Sequence, residues 1–228
     1  MNIGQKIRSK ITYRMDLLNK ARGFIATRID SVPFKMAYAN SEKPTVNNQV
    51  THFATKMRLN NSGEWPVIRL AESIFQKGWV VLDVGAWMGP YTILFSKLTG
   101  KSGKIYALEP DEEAYDLLNK NIRLNSLKNV HSEKIALSDR DGMQKLVGNN
   151  GYGTAESHLE DLVTPDRRAQ TLKSVEYDML ANCMTMDQFV TSYVKSKVDV
   201  IKMDIEGAEL KVLEHGAKIL ASNDLIII

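Results

Sequence analysis

From Glu64 onward the chain alternates short apolar runs with amphipathic segments. Glu64–Gln76 has helical periodicity and is closed by Lys77-Gly78, and Trp79–Val84 reads as a buried strand. Tyr91–Leu98 predicts a helix stopped near Gly100, Lys104–Leu108 a second strand, Asp111–Asn125 a helix and Val130–Leu137 a third strand. A polar, glycine-rich interval covers 138–174. Beyond it Thr185–Lys195 predicts a helix, Val198–Met203 a fourth strand, Ala208–Leu220 a helix and Leu225–Ile228 the start of a fifth strand. Apolar strands alternating with helices of roughly ten to fifteen residues require a parallel sheet covered on both faces. Right-handed crossovers then favour a Rossmann-like, doubly wound α/β sandwich with a mainly parallel sheet.

The N-terminal part has a different pattern. Residues 3–28 place Ile7, Ile11, Leu18, Ala21 and Ile25 on one helical face with basic residues around them. Residues 31–63 contain Pro33, Pro44 and Asn60-Asn61-Ser62-Gly63 and read as a connector. The expected division is a basic helix and connector over 1–63, followed by one domain over 64–228. Net charge is +3, yet residues 1–30 hold seven Lys/Arg against Asp16 and Asp30, which leaves 23 basic and 25 acidic residues elsewhere. A basic amphipathic helix can lie on an anionic membrane surface, or pack on its own domain or a second subunit. The near-neutral body carries no signature of nucleic-acid binding. No apolar run reaches the ~20 residues of a membrane span, and the N-terminus lacks a secretory signal pattern. Cys183 is the single cysteine, so there is no internal disulfide and no metal-binding spacing. These features predict a cytoplasmic protein, with peripheral membrane attachment through residues 3–28 as the open alternative.

In a doubly wound sheet, ligands bind at the carboxyl ends of the strands. The first predicted strand runs into VVLDVGAWMGPYT (80–92), of the form D-x-G-x-x-x-G. A dinucleotide fingerprint would need glycine at 87 and 90, where Trp87 and Pro90 stand. That loop does not carry the Gly-Lys-Ser/Thr of a P-loop, and Gly100-Lys101-Ser102 has Phe95 in place of the first P-loop glycine. Glu109 ends the second strand, 24 residues after Gly85. A carboxylate there can accept hydrogen bonds from both hydroxyls of a ribose. The pair points to a nucleoside without a pyrophosphate.

These segments also carry a resemblance. VVLDVGAWMGPYTILFSKL, KIYALEPDEEAYDLLNKNIRLNSLKNV, KIALSDRDG and above all VIKMDIEGAELKVLEHGAKIL resemble the FkbM family of class I S-adenosylmethionine-dependent methyltransferases. The resemblance covers about residues 64–228, and D-x-E-G-A-E after the fourth strand is its most specific element. It implies S-adenosylmethionine as cofactor. Asp83 would hold the methionine amino group, Gly85 and Gly89 would allow close backbone approach, and Thr92 would assist the carboxylate. Glu109 would bind the ribose and Ala136 would lie near the adenine. The family usually has asparagine and an aliphatic residue where this chain has Trp87 and Met88. The chain also stops at Ile228, inside the expected fifth strand, which predicts a piece lacking the C-terminal hairpin of the class.

A hydroxyl acceptor needs a base to draw off its proton. Asp204 and Glu206 are the candidates, with Glu209 behind them; the alternative is that these acids cap the following helix. Lys202 points to the same face as Asp204 and is expected to pair with it. His158 lies in GNNGYGTAESHLE (148–160), a stretch suited to a lid, and is either a third catalytic candidate or an exposed loop residue. No metal site is predicted. The resemblance implies O-methylation of a small-molecule or glycan hydroxyl. The alternatives are N- or carboxyl-methylation and an inactive, scaffolding cofactor-binding remnant.

Overall fold

The structure is a computed structural model that describes residues 24–29, 32–37, 65–148, 157–162, 177–221 and 226–227. In chain order its elements are β1 (Phe24–Ile29), β2 (Val32–Ala37), α1 (Trp65–Ile74), β3 (Val80–Val84), α2 (Pro90–Thr99), β4 (Lys104–Leu108), α3 (Glu112–Leu124) and β5 (Val130–Glu133). Then follow β6 (Ala136–Leu137), β7 (Gly142–Gly148), β8 (His158–Leu159), β9 (Tyr177–Met184), α4 (Met186–Phe189) with a π-helical turn over Val190–Val194, β10 (Val200–Met203), α5 (Glu209–Glu214), α6 (Ala217–Leu220) and β11 (Ile226–Ile227).

Five strands form one parallel sheet in the order β11-β10-β3-β4-β5. That is the expected Rossmann-like arrangement, reversing direction of growth beside β3. Side-chain alternation divides the core between its two faces. Val81, Ile105 and Val200 face a cluster with Ile68 of α1, and with Ile93, Leu94 and Phe95 of α2. Leu82, Val84, Leu108 and Ile201 face the other side, where Met186, Phe189 and Val190 pack with Val212 of α5.

Four local readings are corrected. Residues 24–29 and 32–37 pair as an antiparallel hairpin, so the predicted helix does not extend through 24–28 and the connector holds a strand. Residues 3–23, the rest of that helix, lie outside the described residues. The hairpin's second strand is satisfied by side chains of α3. Asn125 accepts from the Lys35 N–H (2.8 Å) and donates to its carbonyl (2.7 Å), and Asn121 accepts from the Ala37 N–H (2.6 Å). The predicted third strand breaks at Lys134-Ile135. Its first half pairs with β4, whereas Ala136-Leu137 pairs with β9 in a second sheet of order β6-β9-β7-β8. That sheet occupies part of the interval read as irregular, because β7 pairs with β9 along its whole length. The last helix is two, α5 and α6, broken at His215-Gly216, where a Cβ on Gly216 would lie 1.7 Å from Met186 Cε.

Asn121 also donates to the Met88 carbonyl (2.7 Å), joining β2 to the turn before α2. Replacing Asn121 with alanine would leave a buried N–H and a carbonyl without partners. Urea unfolding of Asn121→Ala is expected to show a loss of about 2–4 kcal/mol, against about 1 kcal/mol for Asn125→Ala. Equal shifts would mean that the hairpin is not held through Asn121.

Candidate active site

Val84 lies between Leu108 and Met203 in the sheet register, so the chain leaves β3, β4 and β10 at one level. The next residues are Gly85, Glu109 and Asp204. The N–H groups of Gly85 and Ala86 both donate to the Leu108 carbonyl (3.1 and 2.9 Å), and that of Asp204 donates to the Val84 carbonyl (3.1 Å). A cavity of about 260 Å³ opens above these ends. The second sheet closes its far wall with Ala136, Leu137, Leu146, His158 and Leu159.

Gly85 has φ 71°, and a Cβ there would lie 2.0 Å from the Asp204 carbonyl oxygen. The glycine is therefore demanded by backbone contact between two strand-end turns. Gly89 (φ 87°) starts α2, and a Cβ on it would meet Leu118 of α3 at 2.5 Å. Between them Trp87 takes φ 49°, which costs a bulky residue about 1–2 kcal/mol. Its N–H donates to Glu109 Oε2 (2.7 Å). Its indole packs against the core cluster containing Met88 and Tyr91, while the residue also lines the cavity.

Glu109 lines the cavity and is only 5% exposed. Its Oε1 accepts from the Asp111 N–H (2.9 Å), so each oxygen is fixed by one backbone donor and keeps further acceptor capacity. Burial pushes its carboxyl up to about 7; the Asp111 carboxylate adds to the rise, while the two backbone donors and the Lys202 cation oppose it.

Beneath the turn lies a second carboxylate. Asp83 is fully buried, accepts from Thr92 Oγ1 (2.5 Å) and pairs with Lys202 Nζ at 3.5 Å. Lys202 donates to the Gly85 carbonyl (2.8 Å) and lies over the Tyr91 ring, 5.3 Å from its centroid. Burial raises the Asp83 pKa, against the pull of Lys202 and Thr92. The expected Lys202–Asp204 pair is thus corrected: the ammonium turns into the sheet, towards Asp83.

Asp204 is exposed and lines the cavity; Glu206 is half-buried on the following turn, at φ 60°, and is not part of the lining. Glu209 caps that turn, accepting from the Ile205 and Gly207 N–H groups (2.9 and 3.2 Å). His158 is buried on β8, not exposed in a loop, and residues 149–156 of the proposed lid lie outside the described residues. The Cys183 thiol is buried, which pushes its pKa up to about 11 and makes it a poor nucleophile.

Residues 83–228 match the methyltransferase FkbM domain. The chain belongs to the FkbM methyltransferase family. This FkbM-family chain is 26% identical over 167 residues to hexuronic acid methyltransferase AglP of Haloferax volcanii, covering 73% of the chain and 62% of the relative. It is 27% identical over 151 residues to 2-O-methyltransferase NoeI of Sinorhizobium fredii, covering 64% and 61%. It therefore spans about three-fifths of the length of these two curated relatives. Among solved structures, methyltransferase FkbM from Methylobacillus flagellatus matches with a TM-score of 0.48 and 15% identity over 80% of this chain and 42% of that one. The family is one of methyltransferases, whose expected cofactor is S-adenosylmethionine. The cavity fits that cofactor chemically, since a buried, doubly oriented carboxylate suits a ribose diol and the apolar wall suits an adenine.

Of the residues singled out in the sequence, Gly85, Glu109, Ala136, His158 and Asp204 line one cavity. Asp83 and Thr92 form the buried support below it, Gly89 serves helix packing, and Glu206 stands off the lining. Sequence reasoning missed Leu146 and Leu159, because short strands flanked by glycine and polar residues hid the second sheet. It also missed the partner of Lys202, although a lysine inside VIKMD was a visible anomaly.

Two outcomes follow from these charges. Lys202→Met would strand a buried carboxylate and lower stability by about 3–5 kcal/mol, and adding Asp83→Asn would recover more than half of that in a urea double-mutant cycle. Glu109 binds its proton more tightly in the folded chain, so stability falls as pH rises from 4.5 through about 7 and is level above. The loss is about 3 kcal/mol. It appears as the difference between wild type and Glu109→Gln in unfolding titrations across that window.

Proposed function

We propose that the chain is the catalytic domain of an S-adenosylmethionine-dependent O-methyltransferase acting on a hydroxyl of a sugar or a similar small molecule. The observation that carries this reading is Glu109: a buried carboxylate, oriented by two backbone donors, facing an apolar cavity beside the Gly85 turn. The names of two relatives, a hexuronic acid methyltransferase and a 2-O-methyltransferase, support a carbohydrate acceptor.

When bound, S-adenosylmethionine supplies an electrophilic methyl group on a sulfonium. The chain's own residues do the rest. Glu109 accepts the ribose hydroxyls, and Ile135, Ala136 and Leu146 give the base an apolar wall. The turn at Gly85 is held in place from below by Lys202 and Asp83, so the cofactor meets a fixed backbone. Asp204 lies at the same cavity and is exposed enough to take a proton from an acceptor hydroxyl and release it to water. Glu206 is an alternative base that would require the turn to move. His158 would contact an acceptor from the second sheet.

S-adenosylhomocysteine titrated into the full chain should bind with affinity that rises about tenfold from pH 6 to pH 8, as Glu109 ionises. Glu109→Gln should bind weakly and without that pH dependence. A folded wild-type chain that binds nothing would overturn the proposal. With a sugar acceptor in hand, Asp204→Asn should lose about 10²–10⁴-fold in turnover while keeping its S-adenosylhomocysteine affinity. Full activity would remove Asp204 from the mechanism.

A further inference from the structure

A second concavity of about 670 Å³ lies at the opposite end of the sheet. It sits between the turn that joins α2 to β4 and the turn that joins α3 to β5. Lys97, Lys101, Lys104 and Lys128 line it, with His131 beside them and, among the described residues, no carboxylate in the lining. Its floor is built from hydrogen bonds. Asn129 donates to the carbonyls of Gly100 (2.9 Å) and Ser96 (3.2 Å) and accepts from Ser96 Oγ (2.6 Å), while the Ile105 N–H donates to the Asn129 carbonyl (2.9 Å). The two turns that carry Lys101 and Lys128 are thereby tied together.

The ordinary reading of such lysines is that they satisfy helix C-termini. Here Lys77 performs that task, donating to the carbonyls of Lys97 (3.2 Å) and Leu98 (2.7 Å). Two helix ends contribute about −1 together, against the three ammonium groups of Lys101, Lys104 and Lys128. Among the described residues, Lys101, Lys104 and Lys128 form no ion pair. Burial lowers the Lys97 pKa and the Lys35 cation of β2 lowers it further.

We propose that this groove binds a phosphate or pyrophosphate group, independently of methyl transfer. Lysines suit phosphate as mobile point charges. A bounded concavity favours a compact group of several charges over a polyuronate chain, which spreads one charge per sugar. Single-stranded nucleic acid is disfavoured because, among the described residues, the lining offers no aromatic platform for its bases besides His131, which is stacked on Tyr106 at 5.1 Å. The phosphate can belong to a free sugar phosphate or to a lipid headgroup.

The test titrates inorganic pyrophosphate into the full chain by calorimetry at about 0.05 M and about 0.2 M salt. Binding should weaken with salt, and should fall roughly tenfold or more in Lys101→Glu/Lys128→Glu. Both lysines are exposed, so the variant should keep the wild-type unfolding midpoint. Lys218→Glu, on α6, should bind as wild type. Glucose 1-phosphate and phosphatidic-acid vesicles separate the sources: the physiological one is bound, is displaced by pyrophosphate and is lost in the double variant. The proposal is overturned if pyrophosphate does not bind at low salt or if its binding survives the double substitution. It is equally overturned if polygalacturonate or an RNA oligomer takes the groove while pyrophosphate does not.

Discussion

Lys202 places a cation inside a parallel sheet, where an unmatched charge costs several kcal/mol, and the cleft end is arranged around the way it is matched. Its ammonium reaches from β10 to Asp83 on β3 and to the Gly85 carbonyl on the next turn. Asp83 is in turn held by Thr92 on α2. A strand, its neighbour, the turn and the following helix are thus joined through one pair of opposite charges. The pairing is short-ranged and directional, so it fixes the height of the turn more tightly than apolar packing could. Gly85 completes the constraint, because only a residue without a Cβ lets the Asp204 backbone come so close.

Two buried carboxylates then acquire different characters although Asp83 lies on β3 and Glu109 just past the end of the adjacent β4. Asp83 has a cation and a hydroxyl directed at it, and its remaining surroundings are protein. Glu109 has two backbone N–H donors and an open cavity in front of it. Burial raises both pKa values, but only for Glu109 can a ligand supply the missing hydrogen bonds. A carboxyl held near pH 7 is costly to keep ionised in an empty pocket and is stabilised by hydroxyl donors. The two similar acids thus differ in surroundings: Asp83 is enclosed by protein, and Glu109 faces the cavity.

The main sheet was legible because its strands are apolar runs with helices between them, and period alone distinguishes the two. The strand-end residues were legible for the same reason: Gly85, Glu109 and Asp204 each follow an apolar run directly. What was hidden depends on contacts that sequence spacing cannot express. The hairpin residues around Ile25 fit a helical face as well as a strand, and the side chains of Asn121 and Asn125, more than 80 residues away, satisfy the backbone of β2. The break after Glu133 was invisible because Ile135-Ala136-Leu137 continues the apolar pattern while changing sheets. Lys202 was assigned the nearer acid in sequence, whereas register across the sheet brings Asp83 directly beside it.

The same register logic extends to the hairpin. Asn121 bonds Ala37 with its oxygen and the Met88 carbonyl with its nitrogen. Met36 is wholly buried in the cluster that also holds Met88, Tyr91 and Val81, and Trp87 packs on that cluster. Composition changes near residue 63, but packing crosses that point. The strained backbone at Trp87 is therefore supported from two directions, by Glu109 through its N–H and by the hairpin and α3 through the neighbouring Met88. A residue in an unfavourable conformation persists only where its surroundings over-determine it. Here the surroundings include a segment that lies outside the residues matched to the family domain, which makes the N-terminal hairpin a structural component of the turn that carries Trp87.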